Sequence, residues 1–288
     1  MTPRALTATV LLIGLASAAR TSPAPAPADA VLVGAGDIAD CGETADSATA
    51  ALLDHIPGTV FTAGDNAYES GTTEQFARCY DPTWGRHKAR TRPAPGNHDY
   101  ETAQGAAYYH YFGRLAGDSA LGYYSYDLAG WHVVSLNSNI EMSAGSAQER
   151  WLRADLAAHR AACTLAYWHH PLFSSGEHGN TPAVQPLWQA LYDAGADVVI
   201  AGHDHTYERF APQTPAGQPD PARGIRQFIA GTGGASLYEF ISLAPNSEVR
   251  NNKTHGVLKL TLRPRSYAWA FVPAAGGRFR DSGNGNCH

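Results

Sequence analysis

The chain has 288 residues, 44% of them hydrophobic and 16% charged, with a formal net charge of −5 at pH 7. The acidic balance and the lack of a basic patch exclude an ordinary nucleic-acid binder. Four cysteines suggest two disulfides, whereas a zinc–thiolate site would need closely paired cysteines that the chain lacks.

Residues 1–18 read as an export signal: Arg4 supplies positive charge, Ala5 to Leu15 is apolar, and Ala16-Ser17-Ala18 suits cleavage. The apolar stretch is short for a bilayer span, so a secreted product without a membrane anchor is expected. Residues 19–29, rich in Pro and Ala, read as an extended spacer. Residues 30–288 carry no internal repeat or second linker and suit one large α/β domain. Cys41 and Cys79 each follow a Gly-Asp loop and are expected to clip those loops together, leaving Cys163 for Cys287.

In chain order, Ala30 to Ala35 is an apolar run that reads as a buried strand, and Thr44 to His55 has helical spacing. Val60 to Ala63 is a second strand, Glu74 to Cys79 a helical turn or two, and Arg92 to Pro95 leads into Gly96-Asn97-His98. Tyr123 to Leu128 and Trp131 to Leu136 flank Ala129-Gly130, a hairpin signal. Ser146 to His159 is an amphipathic helix, with Ser146 and Glu149 placed for a capping box. Thr164 to Trp168 and Val198 to Ala201 are strands, separated by a helix over Val184 to Ala194. Ile225 to Ala230, Gly256 to Leu262 and Tyr267 to Val272 read as antiparallel strands. This order predicts two mixed β-sheets packed face to face with helices outside, a four-layer α/β sandwich.

Five apolar runs end in residues that can hold a metal: Gly36-Asp37, Gly64-Asp65-Asn66-Ala67-Tyr68, Gly96-Asn97-His98-Asp99, His169-His170-Pro171 and Gly202-His203-Asp204-His205. Each alone is a common polar turn. Together they place every donor just past a strand end, where ligands gather in such folds. Two carboxylates, a phenol, an amide and at least three imidazoles suffice for two cations.

A cation pair roughly 3.5–4 Å apart needs a bridging anion, and Asp65, in the middle of the series, is the natural bridge. Asp37 and Asn97 would then be terminal donors on opposite sides. Tyr68 binds well only to a strong Lewis acid, so Asp37, Asp65 and Tyr68 favour trivalent iron. Asn97 with imidazoles suits a divalent ion. His203 and His205 face one side on a regular strand but can diverge on a turn. His98 and His178 are candidate acids beside the metals. His55, His110, His132, His159, His255 and His288 lie outside the motifs and read as ordinary surface or core-edge histidines, while His87 and His170 stay open. Tyr108 to Phe112 reads as packing, and Gly231 to Gly234 as a bend beneath the metals.

In this order, the motifs resemble the calcineurin-like metallophosphoesterases, and more narrowly the purple acid phosphatases. The superfamily usually has Asp-x-His in its first block; here Asp37-Ile38-Ala39 lacks the histidine, and Tyr68 supplies the tyrosine of Gly-Asp-x-x-Tyr instead. The resemblance implies Fe(III) held by Asp37, Asp65, Tyr68 and His205. It also implies Fe(II), Zn(II) or Mn(II) held by Asp65, Asn97, His169 and His203. The Glu177-His178-Gly179 stretch looks like short mammalian-type members, and Tyr207-Glu208-Arg209 looks like plant-type ones.

The implied protein is a small single-domain acid phosphatase, with residues 30–288 as its metallophosphoesterase catalytic domain. It would hydrolyse phosphate monoesters by attack of a metal-bound hydroxide on phosphorus. Small phosphoesters would be its partners. The alternatives are a phosphodiesterase or nucleotide hydrolase on the same site, or a secreted metal-binding or redox protein with vestigial hydrolysis.

Overall fold

Every strand expected from an apolar run forms in the computed structural model, which describes residues 1–3, 5–6 and 29–288. The export-signal and spacer readings fall almost entirely outside those described residues. The early strands are β1 (Ala30–Ala35), β2 (Thr59–Ala63), β3 (Thr91–Ala94), β4 (Tyr124–Leu128), β5 (Trp131–Ser135) and β6 (Cys163–Tyr167). The later ones are β7 (Val198–Ala201), β8 (Tyr207–Phe210), β9 (Arg226–Ala230), β10 (Ser247–Asn251), β11 (Gly256–Arg263), β12 (Ser266–Pro273) and β13 (Ser282–Asn286). They form a six-stranded sheet in the order β13-β12-β11-β1-β2-β3 and a seven-stranded sheet in the order β10-β8-β9-β7-β6-β5-β4.

Side-chain alternation explains the layering. Leu32 and Phe61 point into a core shared with Val133, Leu165 and Phe228 of the other sheet. Their neighbours Val33 and Val60 point outward, onto Leu53 and Trp84. That outer layer is built by α1 (Ala45–His55), α2 (Thr73–Gln75, continued by a π turn to Tyr80), α3 (Asn97–Glu101) and α4 (Ala106–Phe112). The second sheet is covered by α5 (Ala147–Ala158) and α6 (Gln185–Asp193), whose Leu152, Leu187 and Trp188 meet Val134, Ala166 and Val199. Tyr108 and Phe112 are buried in the outer layer of the first sheet as packing, as expected.

Several local expectations need correction. Ile225 to Ala230 is not purely antiparallel: β9 runs parallel to β7 and antiparallel to β8. Asn97 does not lie in a loop but opens α3, because the Asp99 carboxylate accepts the Gly96 N–H at 2.9 Å. The capping box at α5 is half made: Ser146 Oγ accepts from Glu149 N, while Glu149 reaches Gly145 N instead of Ser146. Strands β8, β10 and β13 carry polar sequences (YERF, SEVRN, SGNGN) that give no apolar run to read.

Two parallel blocks position the site. β1, β2 and β3 run parallel, and so do β5, β6, β7 and β9. A hydrogen bond from Gly36 N to Ala230 O (2.8 Å) joins the carboxyl end of β1 to that of β9, across the sheets. Both expected disulfides are present, Cys41–Cys79 and Cys163–Cys287. Among the described residues no helix is long and apolar enough to cross a membrane.

Candidate metal centre

The carboxyl ends of five parallel strands open onto one cleft. Asp37 and Asp65 lie in the loops after β1 and β2, and Asn97 opens α3 just past β3, so the first sheet supplies the oxygen donors. His169 follows β6, and His203 and His205 follow β7, so the second sheet supplies the imidazoles. Asp37, Asp65 and His203 hold left-handed backbone with φ of 61°, 49° and 71°. Such backbone costs a non-glycine residue energy, and it clusters where function demands a direction for the side chain. Gly96 is needed for close approach, since a Cβ there would sit 2.0 Å from Asp65 Oδ1.

The donors form two groups that share one atom. In the first group Tyr68 Oη lies 3.1 Å from Asp37 Oδ1, 3.1 Å from Asp65 Oδ2 and 2.9 Å from His205 Nε2. In the second, His169 Nε2 lies 2.9 Å from Asn97 Oδ1, 3.2 Å from Asp65 Oδ2 and 3.2 Å from His203 Nδ1. Asp65 Oδ2 belongs to both. His203 and His205 diverge, one to each group: both lie past the end of β7, and His203 itself takes left-handed backbone.

The donor set fits cations. His169 donates Nδ1–H to Ala63 O (2.9 Å) and His205 donates Nδ1–H to Ser236 O (2.7 Å). Each Nε2 lone pair is thereby aimed at neighbours that are themselves electron-rich, the usual support for a metal-binding imidazole. The local field agrees. Burial opposes charge on His169, but Asp65 outweighs it and its pKa is pushed up to about 9. Burial alone would raise the Asp65 carboxyl, yet His169 and His98 hold it well below the usual carboxylate range. Burial, then Asp37 and Asp65, push the Tyr68 phenol well above its ordinary value. A phenolate there requires a strongly charged partner.

His98 and His178 flank the cluster without joining it. His98 packs its ring 4.6 Å from that of Tyr68, with Nε2 4.0 Å from Asp65 Oδ2 and Nδ1 bonded to Glu69 O. The His178 ring stacks 4.2 Å from His203, on the opposite flank. His170, left open by the sequence, packs 4.3 Å from His203 and bonds Ser138 Oγ (2.7 Å); burial, then His169, bring its pKa down to about 3. The Gly231 to Gly234 bend does lie beneath the site, with Gly233 N bonded to Gly36 O at 2.9 Å.

Two neighbours escaped sequence reading. Tyr238 stacks on His205 at 3.8 Å, yet it stands far beyond the last motif with nothing in its local pattern to mark it. Asp99 is fully buried and accepts from Asn66 N, Asn66 Nδ2 and Gly96 N, tying the Asp65 loop to the Asn97 loop. Its place inside the Gly-Asn-His-Asp block was the available signal. Away from the cleft, His132 is not an ordinary surface histidine: it is buried between Asp155 and Asp127 with His159 stacked on it.

The calcineurin-like phosphoesterase family profile matches residues 11–207. The chain is 29% identical to purple acid phosphatase 22 of Arabidopsis thaliana over 281 residues, covering 88% of this chain and 62% of that protein. It is 30% identical to purple acid phosphatase 15 of the same plant over 195 residues, covering 55% and 37%. The fold is similar to that of a purple acid phosphatase from yellow lupin seeds, with a TM-score of 0.75 at 19% identity, covering 91% of this chain and 55% of that one. The chain thus spans less than two thirds of the length of these relatives. Its profile match, fold and strand-end donors agree: the chain belongs to the calcineurin-like phosphoesterase family.

Proposed function

We propose that the chain is a dinuclear metal-dependent phosphatase that hydrolyses phosphate monoesters. The observation that carries this reading is Asp65 Oδ2, within 3.2 Å of donors in both groups, the position a bridging ligand must hold. Cations bound there would supply a nucleophilic water near neutral pH and offset charge on the phosphoryl group. The Asp37, Asp65, Tyr68 and His205 set suits Fe(III), and the Asp65, Asn97, His169 and His203 set suits Fe(II), Zn(II) or Mn(II).

The remaining roles follow from position. His98 donates Nδ1–H to Glu69 O, which leaves Nε2 facing the cleft to hold a phosphoryl oxygen when protonated. His178, exposed beside His203, is placed to protonate the leaving alkoxide. His170, half-buried and held neutral, walls the divalent side. Residues 30–288 form the catalytic domain in this reading. The signal-like residues 1–18, the spacer at 19–29 and the two disulfides support export to an oxidising compartment.

The test is metal analysis of protein purified without added metal, followed by a panel of phosphate mono- and diesters across pH. Two metals per chain and preferred monoester turnover are expected. Fewer than two metals in fully active protein would undo the dinuclear reading, and preferred diester turnover would undo the substrate class.

A further inference from the structure

The segment that supplies His203 and His205 also carries two acids that touch neither donor group. Asp204 lies between the histidines and Glu208 three residues beyond, and both are fully buried. Buried carboxylates survive only where they are well hydrogen-bonded: Asp204 spends its bonds on one loop, and Glu208 divides its own between that loop and Ser247 Oγ of β10.

Asp204 Oδ1 accepts the His178 backbone N–H at 2.8 Å, and Oδ2 accepts from Ser174 Oγ. Ser174 Oγ in turn accepts the Gly176 N–H at 3.0 Å. Glu208 accepts Ser175 N–H at 2.9 Å and Ser175 Oγ at 2.5 Å. The loop from Ser174 to His178 therefore hangs from both acids. Gly176 is what lets it approach: a Cβ there would lie 2.4 Å from Asp204 Cγ.

The loop ends in His178, whose ring lies over His203 at 4.2 Å and 25°, and edge-on to Tyr238 at 5.4 Å. Stacking alone leaves an exposed ring free to slide, whereas an anchored backbone fixes where the ring begins. The anchor and the ring beneath it are adjacent residues, Asp204 and His203. Any shift of the metal-facing histidine then carries His178 with it, and their spacing is preserved.

We infer that Asp204 is a positioning residue that seats His178 over His203, an inference that rests on the phosphoester-cleaving role proposed for this site. It acts through the His178 amide and makes no contact with substrate. A buried turn residue of purely structural value would stabilise the fold without setting the position of His178 in particular.

The experiment compares Asp204→Ala, Asp204→Asn, Ser174→Ala, His178→Ala and the Asp204→Ala/His178→Ala double variant. Amide hydrogen exchange over residues 174–178, metal content, and turnover of an aryl phosphate are measured on each. Asp204→Ala is expected to speed exchange at His178 by at least about tenfold, with metal content unchanged. Its kcat should fall by the same factor as in His178→Ala, on the order of 10²-fold, and the double variant should be no slower than either. Asp204→Asn keeps an acceptor for the same N–H and should retain both protection and most of the rate.

Unchanged exchange at His178 in Asp204→Ala overturns the inference, and so does a double variant whose loss is the product of the single losses. Metal loss in Asp204→Asn also overturns it, because the acid would then act through the histidine donors. Ser174→Ala removes the Oδ2 partner and the Gly176 acceptor but spares Oδ1, so His178 should stay protected in it. Should Asp204→Ala fail to fold, Asp204→Ser withdraws the acceptor from the His178 N–H, and unchanged exchange at His178 in that variant is equally fatal. Faster exchange in Asp204→Ala together with full turnover in His178→Ala removes the catalytic reading of His178 and leaves its seating by Asp204 intact.

Discussion

Replacing Cys163 and Cys287 by alanine should cost more stability than replacing Cys41 and Cys79, yet harm turnover less. The bridges close loops of 124 and 38 residues. Loop-closure entropy then assigns about 4.9 kcal/mol to the first and about 3.9 kcal/mol to the second, a gap of about 1 kcal/mol. For a domain this size each kcal/mol moves Tm by roughly 2–4 °C, so losing the longer bridge should lower Tm by roughly 10–20 °C. Activity should rank the other way. Cys163 begins β6, at the end away from the cleft, whereas Cys41 lies four residues past Asp37 with its sulfur 3.9 Å from Tyr68 O. Freeing that loop should weaken metal retention by about tenfold, in the range found when supports around a metal site are removed. Denaturant unfolding of the chelator-treated variants gives the stability order without metal linkage, and metal-saturated turnover gives the activity order. A smaller stability loss for the 163–287 pair would refute the loop-entropy argument. Full metal retention without the 41–79 bridge would refute its local role.

Gly96→Ala should destabilise the fold by about 1–3 kcal/mol and lower metal retention, because its Cβ would sit 2.2 Å from Asp65 N; unaltered metal content after dialysis would contradict the packing. For Tyr68→Phe we expect loss of a visible tyrosinate–iron band, and a colourless, fully active wild type would count against iron there. The His132 cluster predicts a pH signature. Burial lowers the His132 pKa, but hydrogen bonds to Asp155 and Asp127 outweigh it and raise it; burial raises Asp155, but His132 and Ser125 outweigh that and lower it. The raised histidine stabilises fully below its unfolded value of about 6.5 and loses that effect as pH rises through its folded pKa. The lowered carboxylate stabilises above about 3.9 and loses that effect on acidification. The stability gap between wild type and His132→Gln should therefore be widest between about pH 4 and 6.5; a gap that grows toward pH 9 would contradict the assignment.

The parts legible in the sequence were those with local causes. Apolar runs closed by a donor, in four of the five motifs through a Gly, specified both a strand and what stands at its tip, so Asp37, Asp65, Asn97, His169, His203 and His205 could be placed before any fold was known. Ala129-Gly130 marked a hairpin because both residues take positive φ, which suits the two-residue turn. Non-local causes stayed hidden. Nothing in Ile225 to Ala230 says that its neighbour will be the parallel β7, since orientation is decided by a partner elsewhere in the chain. Tyr238 and Asp99 matter through stacking and a buried network, neither of which has a sequence period. His132 looked ordinary because Asp127 is across a hairpin and Asp155 on a helix, and only the sheet brings them together.

The division of donors between the sheets has a thermodynamic consequence. Cys163–Cys287 fastens the sandwich covalently near the amino end of β6, and the cleft lies at the carboxyl ends, where oxygens of one sheet face imidazoles of the other. Ions captured there would act as rivets at the far end of the same seam. Each tenfold rise in free metal above its dissociation constant would then deepen the folded well by about 1.4 kcal/mol. Resistance to proteolysis would follow the metal supply of the surroundings, so scarcity would thin the population of the protein as well as silence it.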